Sequence, residues 1–233
     1  NEEKYLESTV NTVLQAAEEA GNLCLDIIIV NDGSTDRTAE VIARLQTEHP
    51  SIQAVTHAEN EGLGKSIRDA IVIAKYPKFC FVPGDNDVSK EMLVTLFSKR
   101  EKADLIMTFF LNKEIRGRTR NILSSLFQWV YMGTFNIYVQ YLNCPGMYST
   151  ETVRGLDLKS DRISIVAEMN TKMLCTGCTY LEIPGYMQTG LDQSQSLTFY
   201  NFLEVVRTYF FICYEIKFKK KSMFGNKPKR ICE

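Results

Sequence analysis

The chain has 233 residues, 45% hydrophobic and 24% charged, with a formal net charge of −1. That length and composition suit one large domain or two small ones around a sizeable core, and a charge so near zero gives no general argument for nucleic acid as a partner. No run is long and apolar enough to be read as a membrane-crossing helix. The charge is uneven, because Lys217, Lys219, Lys220, Lys221, Lys227, Lys229 and Arg230 crowd the end of the chain. Seven cysteines are scattered, with one CxxC at Cys175 and Cys178 and no second pair at zinc-ribbon spacing. Free thiols in a reducing compartment are the expectation.

Taken in order, the chain alternates helices and strands. Asn1-Glu2-Glu3 opens without strand character. Leu6, Val10, Val13, Leu14 and Ala17 then recur at helical spacing until Gly21, which supplies a stop. Leu25 to Val30 is a nearly continuous apolar run, the pattern of a strand covered on both faces. Asn31 to Asp36 is a turn cluster with capping residues, ahead of a helix through Val41, Ile42 and Leu45. Ile52 to His57 reads as a strand, Asn60 to Lys65 as a Gly-containing loop, and Ile67, Ala70, Ile71 and Ala74 mark a helix. Phe79 to Pro83 is a strand, Met92 to Phe97 a helix and Leu105 to Phe110 a strand. This alternation predicts an α/β fold with a mostly parallel sheet. Ligands of such sheets bind beyond the carboxyl ends of the strands, where Asp32, the Gly62–Lys65 loop and Gly84-Asp85-Asn86-Asp87 all fall.

The acidic motif has two readings. Gly, Asp and Asn are turn formers, so it can be a turn alone. Two carboxylates one residue apart also repel and raise each other's pKa unless a cation sits between them. Mg2+ commonly uses one or two carboxylates plus substrate phosphates.

Beyond Phe110 the character changes. Lys113, Arg116, Arg118 and Arg120 form a basic cluster, and no charged residue occurs from Asn121 to Thr150. That stretch, which includes Leu126, Trp129, Tyr131, Phe135 and Tyr138, is either a buried helix pair or an interfacial helix with aromatics at lipid headgroups. Arg162 to Cys175 reads as a helix carrying Glu168, Tyr180 to Pro184 as a strand ended by proline, and Met187 to Ser196 as a polar loop. Phe202 to Phe218 is an apolar, aromatic helix ahead of the basic tail, which either touches anionic lipid or is a solvated terminus.

Four stretches in order resemble the family 2 glycosyltransferases of GT-A fold, and most resemble the polyprenyl-phosphate branch that includes dolichol-phosphate mannose synthase. Asn1-Glu2-Glu3 is similar to the end of the opening Pro-x-Tyr-Asn-Glu motif. Val30-Asn31-Asp32-Gly33-Ser34-Thr35-Asp36-Arg37-Thr38 is similar to Val-Asp-Asp-Gly-Ser-x-Asp-x-Thr. Asn60-Glu61-Gly62-Leu63-Gly64 matches Asn-x-Gly-x-Gly, and Asp85-Asn86-Asp87 matches Asp-x-Asp. The resemblance implies an inverting transferase with a UDP- or GDP-sugar donor. Asp32 would accept a hydrogen bond from the base, with Glu2, Gly62, Gly64 and Lys65 near the nucleotide. Asp85 and Asp87 would hold Mg2+ or Mn2+ against the diphosphate.

The same resemblance implies a polyprenyl phosphate acceptor at the cytoplasmic face of a membrane. Glu168 would orient the site, or serve as general base if the acceptor were a glycan hydroxyl. Gln188 and Ser194 lie where the family closes a loop over the donor phosphates, without the family's Arg, and Arg116, Arg118 and Arg120 would contact acceptor phosphate. The missing arginines keep a silent nucleotide-sugar binding protein as an alternative. Residues 1–115 form the expected donor half, 116–200 the acceptor half and 201–233 an apolar helix with a basic tail. The family's first strand would precede Asn1, so a longer natural chain is expected.

Overall fold

The computed structural model of the protein describes residues 1–115, 117–143, 145–186 and 199–232. It begins with α1 (Leu6–Glu19), which joins two parts of the core. Leu6 and Val10 pack with Ile29, Ile42, Leu45 and Ile52. Ala16 and Ala17, two turns further on, pack with Leu93, Leu96 and Phe97. The helix stops at Gly21, whose φ of +112° suits a residue without Cβ.

Strand β1 (Ile27–Asp32) pairs in parallel with β2 (Ile52–His57), from Ile27 opposite Ile52 to Asp32 opposite His57. The crossover is α2 (Thr38–Glu48), and α3 (Leu63–Ile73) follows β2. Gly64 and Lys65, expected in a loop, are therefore in the first turn of a helix. The register ends both strands on polar side chains at the same edge. Among the described residues β1 and β2 form a sheet of their own.

The second sheet has the order β3-β5-β4-β6-β7. Its strands are β3 (Lys78–Cys80), β4 (Leu105–Phe110), β5 (Gly146–Ser149), β6 (Thr179–Gly185) and β7 (Lys229–Arg230). β5 runs antiparallel to β3 and β4, whereas β4, β6 and β7 are parallel. The α/β expectation holds, with a mixed, largely parallel pairing. β4 sends Leu105 and Met107 to one side of the core and Ile106 and Phe110 to the other, the two-residue alternation of a strand covered on both faces.

Two strand ends differ from expectation. β3 stops at Cys80, so Phe81 to Pro83 leave the sheet before the acidic motif. β6 runs through Pro184, which lies opposite Phe109. In a parallel strand, successive residues direct their backbone groups to alternate sides. Gly185 turns to β4, where its carbonyl takes the Leu111 N–H at 3.0 Å, and Tyr180 turns to β7, where its carbonyl takes the Ile231 N–H at 2.8 Å. Pro184 faces the β7 side beyond the end of that two-residue strand, where a missing N–H leaves no partner unmet.

The remaining helices are α4 (Lys90–Ser98), α5 (Arg118–Phe135), α6 (Thr150–Gly155), α7 (Ser164–Cys175) and α8 (Phe199–Tyr214). A π-helical turn, Glu215–Lys219, ends α8. The Ser89 hydroxyl caps α4 by accepting the Met92 N–H at 3.3 Å. α7 is buried at all twelve of its residues. Among the described residues, no helix is long and apolar enough to cross a membrane.

Candidate active site

The carboxyl edge of β1 and β2 is tied together by Asp32. Its Oδ1 accepts the Glu61 N–H at 2.8 Å and lies 2.8 Å from His57 Nδ1, and its Oδ2 accepts the Gly62 N–H at 2.8 Å. His57 Nε2 lies 3.0 Å from Asp69 Oδ2, and Asp69 in turn accepts from Lys65 Nζ. With a carboxylate at each ring nitrogen, both nitrogens donate and the ring is an imidazolium. The result is a chain of alternating charge, Asp32, His57, Asp69, Lys65. The hydrogen bond to Asp32 foremost, with that to Asp69, holds His57 above its usual pKa against the effect of burial. Burial works to raise Asp32, but its bonds to His57, Glu61 and Gly62 outweigh it and hold the carboxyl below the usual range. Asp32 thus orders the Glu61–Gly62 segment and keeps part of Oδ2 for a further donor. Lys65, expected near the nucleotide, is engaged by Asp69.

Gly62 and Gly64 are explained by backbone crowding. A Cβ on Gly62 would lie 2.4 Å from the Asp161 carbonyl oxygen, and one on Gly64 would lie 2.1 Å from that of Ser160. Gly62 also has a φ of +96°. The gap they leave admits the 160–161 turn, whose Asp161 carbonyl accepts the Gly64 N–H at 2.8 Å.

The acidic motif sits against the first turn of the chain. The Thr9 hydroxyl donates to the Gly84 carbonyl at 2.9 Å, and the Thr12 hydroxyl lies 3.2 Å from Asn86 Oδ1. Asn86 takes a left-handed φ of +58°, a conformation Asn tolerates. Asp85 Oδ1 accepts the Asp87 N–H at 3.1 Å. Glu2 reaches the same place, because a Cβ on Gly84 would meet Glu2 Cγ at 3.3 Å. The Glu2 N–H also donates to Thr38 Oγ1 at 2.8 Å, which links the β1 turn to the motif. Burial pushes the Glu2 carboxyl up, and the Asp85 and Asp36 carboxylates add to it.

These residues fit a divalent cation. Glu2 is raised foremost by burial and further by the Asp85 and Asp36 carboxylates, and a cation would relieve that part of it which is repulsion. Among the described residues, no group of three or more His, Cys, Asp or Glu side chains could hold a metal unaided. A pair of carboxylates such as Asp85 and Asp87 is the kind of partial ligand set that substrate phosphates would have to complete.

Glu168 lies elsewhere, at 0% exposure on α7. It takes the Ser160 N–H at 2.8 Å, the Lys159 N–H at 3.1 Å and Lys172 Nζ at 2.7 Å. A carboxylate closed in this way presents no lone pair to solvent. Arg118 is exposed at the start of α5, and Arg120 is partly buried. Arg116, Gln188 and Ser194 lie outside the described residues. Sequence reading missed His57, Asp69, Arg68 and the 159–161 turn. One signal was visible, since Lys65 and Asp69 stand four apart on one helix face.

A family model described as Glycosyl transferase family 2 matches residues 1–160. The chain belongs to glycosyl transferase family 2. Within this family it is 35% identical over 63 residues to a dolichyl-phosphate β-glucosyltransferase of Trichomonas vaginalis, covering 27% of this chain and 19% of that protein. The match thus spans about a fifth of that relative's length. Among solved structures, glucosyl-3-phosphoglycerate synthase from Mycobacterium tuberculosis in complex with Mn2+, UDP-glucose and phosphoglyceric acid superposes with a TM-score of 0.65 at 15% identity, covering 91% of this chain and 76% of that one. The same enzyme with Mg2+ and UDP gives 0.67 at 14% identity, with the same coverage. The family 2 chain described here shares that α/β fold.

Proposed function

We propose that this family 2 glycosyltransferase moves a sugar, with inversion, from a UDP- or GDP-sugar to a polyprenyl phosphate at the cytoplasmic surface of a membrane. The donor assignment is supported by Asp85 and Asp87, with Glu2 packed beside Gly84 next to them, near the loop that Asp32 orders. Asp85 and Asp87 would hold Mg2+ or Mn2+, which when bound neutralises charge on the departing nucleoside diphosphate. Asp32 offers its remaining Oδ2 lone pair to a base N–H. Glu2, packed beside Gly84, would line the diphosphate side.

The observation that carries the acceptor assignment is an apolar surface on two adjacent helices. α5 exposes Ile122, Leu126 and Trp129, the last at 73%, and α8 exposes Leu203, Phe210 and Tyr214. The helices touch where the Thr134 and Tyr209 hydroxyls meet at 2.7 Å. Phe218 and the exposed lysines 217, 219 and 221 continue this surface. Exposed patches of this kind mark interaction sites, and aromatics with adjacent lysines suit anionic headgroups. The T. vaginalis relative is named for a dolichyl-phosphate acceptor, which supports the same reading. A phosphate acceptor is already ionised and needs no general base, which agrees with the enclosure of Glu168. Arg118 and Arg120 are the proposed contacts for acceptor phosphate, with Arg116, Gln188 and Ser194 as further candidates.

The test is sugar transfer by the full chain from UDP- and GDP-sugars with Mn2+, offered polyprenyl phosphate in vesicles or an oligosaccharide in solution. Transfer to the lipid is expected. Transfer to the oligosaccharide alone would overturn the acceptor assignment, and nucleotide binding without any turnover would make the chain a silent binding protein.

A further inference from the structure

The donor loop rests on the second half of the chain, and that support is itself held by buried charges. Asp161 accepts the Gly64 N–H at 2.8 Å, and Arg68 on α3 donates to the Ser160 carbonyl and to Asp161 Oδ1. On its other side the 157–161 turn is held by α7. Glu168 accepts the Lys159 and Ser160 N–H groups, and Lys172 Nζ donates to the Asp157 carbonyl at 2.5 Å. Lys172 also lies 2.6 Å from Glu215 Oε2, and Glu215 Oε1 lies 2.9 Å from Lys220 Nζ. Glu168, Lys172 and Glu215 all have 0% side-chain exposure.

We propose that Glu215, in the turn that ends α8, is a positioning residue for the donor loop, acting through Lys172, Glu168 and the 159–161 turn. Buried ion pairs often contribute little net stability compared with apolar packing of the same volume. A chain of three such groups ending on two backbone N–H groups instead fixes where a turn sits. With Glu215 made neutral, Lys172 keeps a single buried counter-charge and is drawn to Glu168 Oε1. That oxygen also takes the Lys159 N–H, so the two donors compete and the turn loosens. The segment after residue 200 is then part of the donor site's support, in addition to any lipid contact. This inference rests on the proposed donor reading for its consequence in binding, and on the described contacts alone for its consequence in loop order.

The experiment compares Glu215→Gln and Glu168→Gln with wild type in the full chain, with Glu182→Gln as the control. Glu182 is a buried carboxylate on β6 that faces the Gln140 N–H and Arg230. Amide hydrogen exchange at Gly64 is read against the amides of β4, and UDP affinity is measured with Mn2+. Gly64 exchange is expected to speed up by about tenfold in both test variants with β4 unchanged, and UDP affinity to fall about tenfold. The control is expected to change neither. Gly64 exchange that stays unchanged, or that rises only in step with β4, would overturn the proposal. So would faster exchange with unchanged affinity in a wild type that binds UDP. If Glu168→Gln does not fold, Glu215→Gln decides. A wild type that binds no UDP would refute the donor reading, while the exchange comparison would still decide the positioning role.

Discussion

The donor edge and the helical second half are held by opposite means. At the donor edge, short polar side chains near the surface bind backbone groups close by. Asp32 takes the Glu61 and Gly62 N–H groups, Asp36 takes the Thr38 N–H and Thr9 holds the Gly84 carbonyl. In the second half the fixed points are fully buried ions on α7 and the end of α8. The first arrangement leaves Asp85 and Asp87 partly exposed, where the proposed cation and diphosphate would reach them. The second excludes water and serves to hold backbone in place. The comparison assigns ligand chemistry to the first region and support to the second, and it predicts different consequences for carboxylates in each.

The largest effect belongs to the donor edge. Asp85→Ala and Asp87→Ala are each expected to lower the transfer rate on the order of 10²–10³-fold, with an unfolding midpoint close to wild type. A rate within twofold of wild type would break the contrast. The second half predicts the reverse. Lys172→Met leaves two buried carboxylates without their shared partner and is expected to cost about 3–5 kcal/mol in denaturant unfolding. A change below about 1 kcal/mol would show that the ions are not fully desolvated.

Gly64→Ala tests the contact between the regions. Its Cβ would lie 2.1 Å from the Ser160 carbonyl oxygen, an overlap expected to cost about 1–3 kcal/mol and to weaken nucleotide binding.

The pH dependence sharpens the donor side. His57 is held above its reference value of 6.5, so its contribution is fully present below that pH and is lost as pH rises through the raised value. Asp32 and Asp69 are held below their reference of 3.8, so their contribution is present above that pH and is lost as pH falls through the lowered values. Stability is expected to decline at both ends, and His57→Asn is expected to flatten the alkaline limb of a melting-temperature profile. An alkaline limb unchanged in that variant would contradict the imidazolium assignment. The smallest stability effect is at the surface. Trp129→Ser is expected to shift unfolding by less than about 0.5 kcal/mol while reducing partition onto anionic vesicles.

The same contrast explains what could be read from the sequence. Asp32, Gly62 and the Asp85–Asp87 pair stood out in the sequence as turn residues at strand ends, and apolar runs such as Leu105–Phe110 report their own burial, but the Glu61 and Gly62 N–H groups that Asp32 binds are brought to it only by the fold. His57 did not stand out, because its partner Asp32 becomes its neighbour only through the parallel register of β1 and β2. Glu168 could be placed on a helix, but its burial depends on Lys172 and on Glu215 from a distant segment. The glycines at 62 and 64 were legible as special, and their cause, the approach of Ser160 and Asp161, came from the fold. Pro184 misled because its tolerance depends on the length of β7, which lies far along the chain.

Asp85 and Asp87, with Glu2 beside them, are proposed to form a cation-dependent diphosphate site. Calorimetric titration of the full chain with UDP, with Mn2+ or with a chelator, tests it most directly. Binding is expected with Mn2+, and is expected to be lost with the chelator and in Asp85→Ala and Asp87→Ala. UDP that binds equally well with the chelator, or to either variant, would contradict the claim.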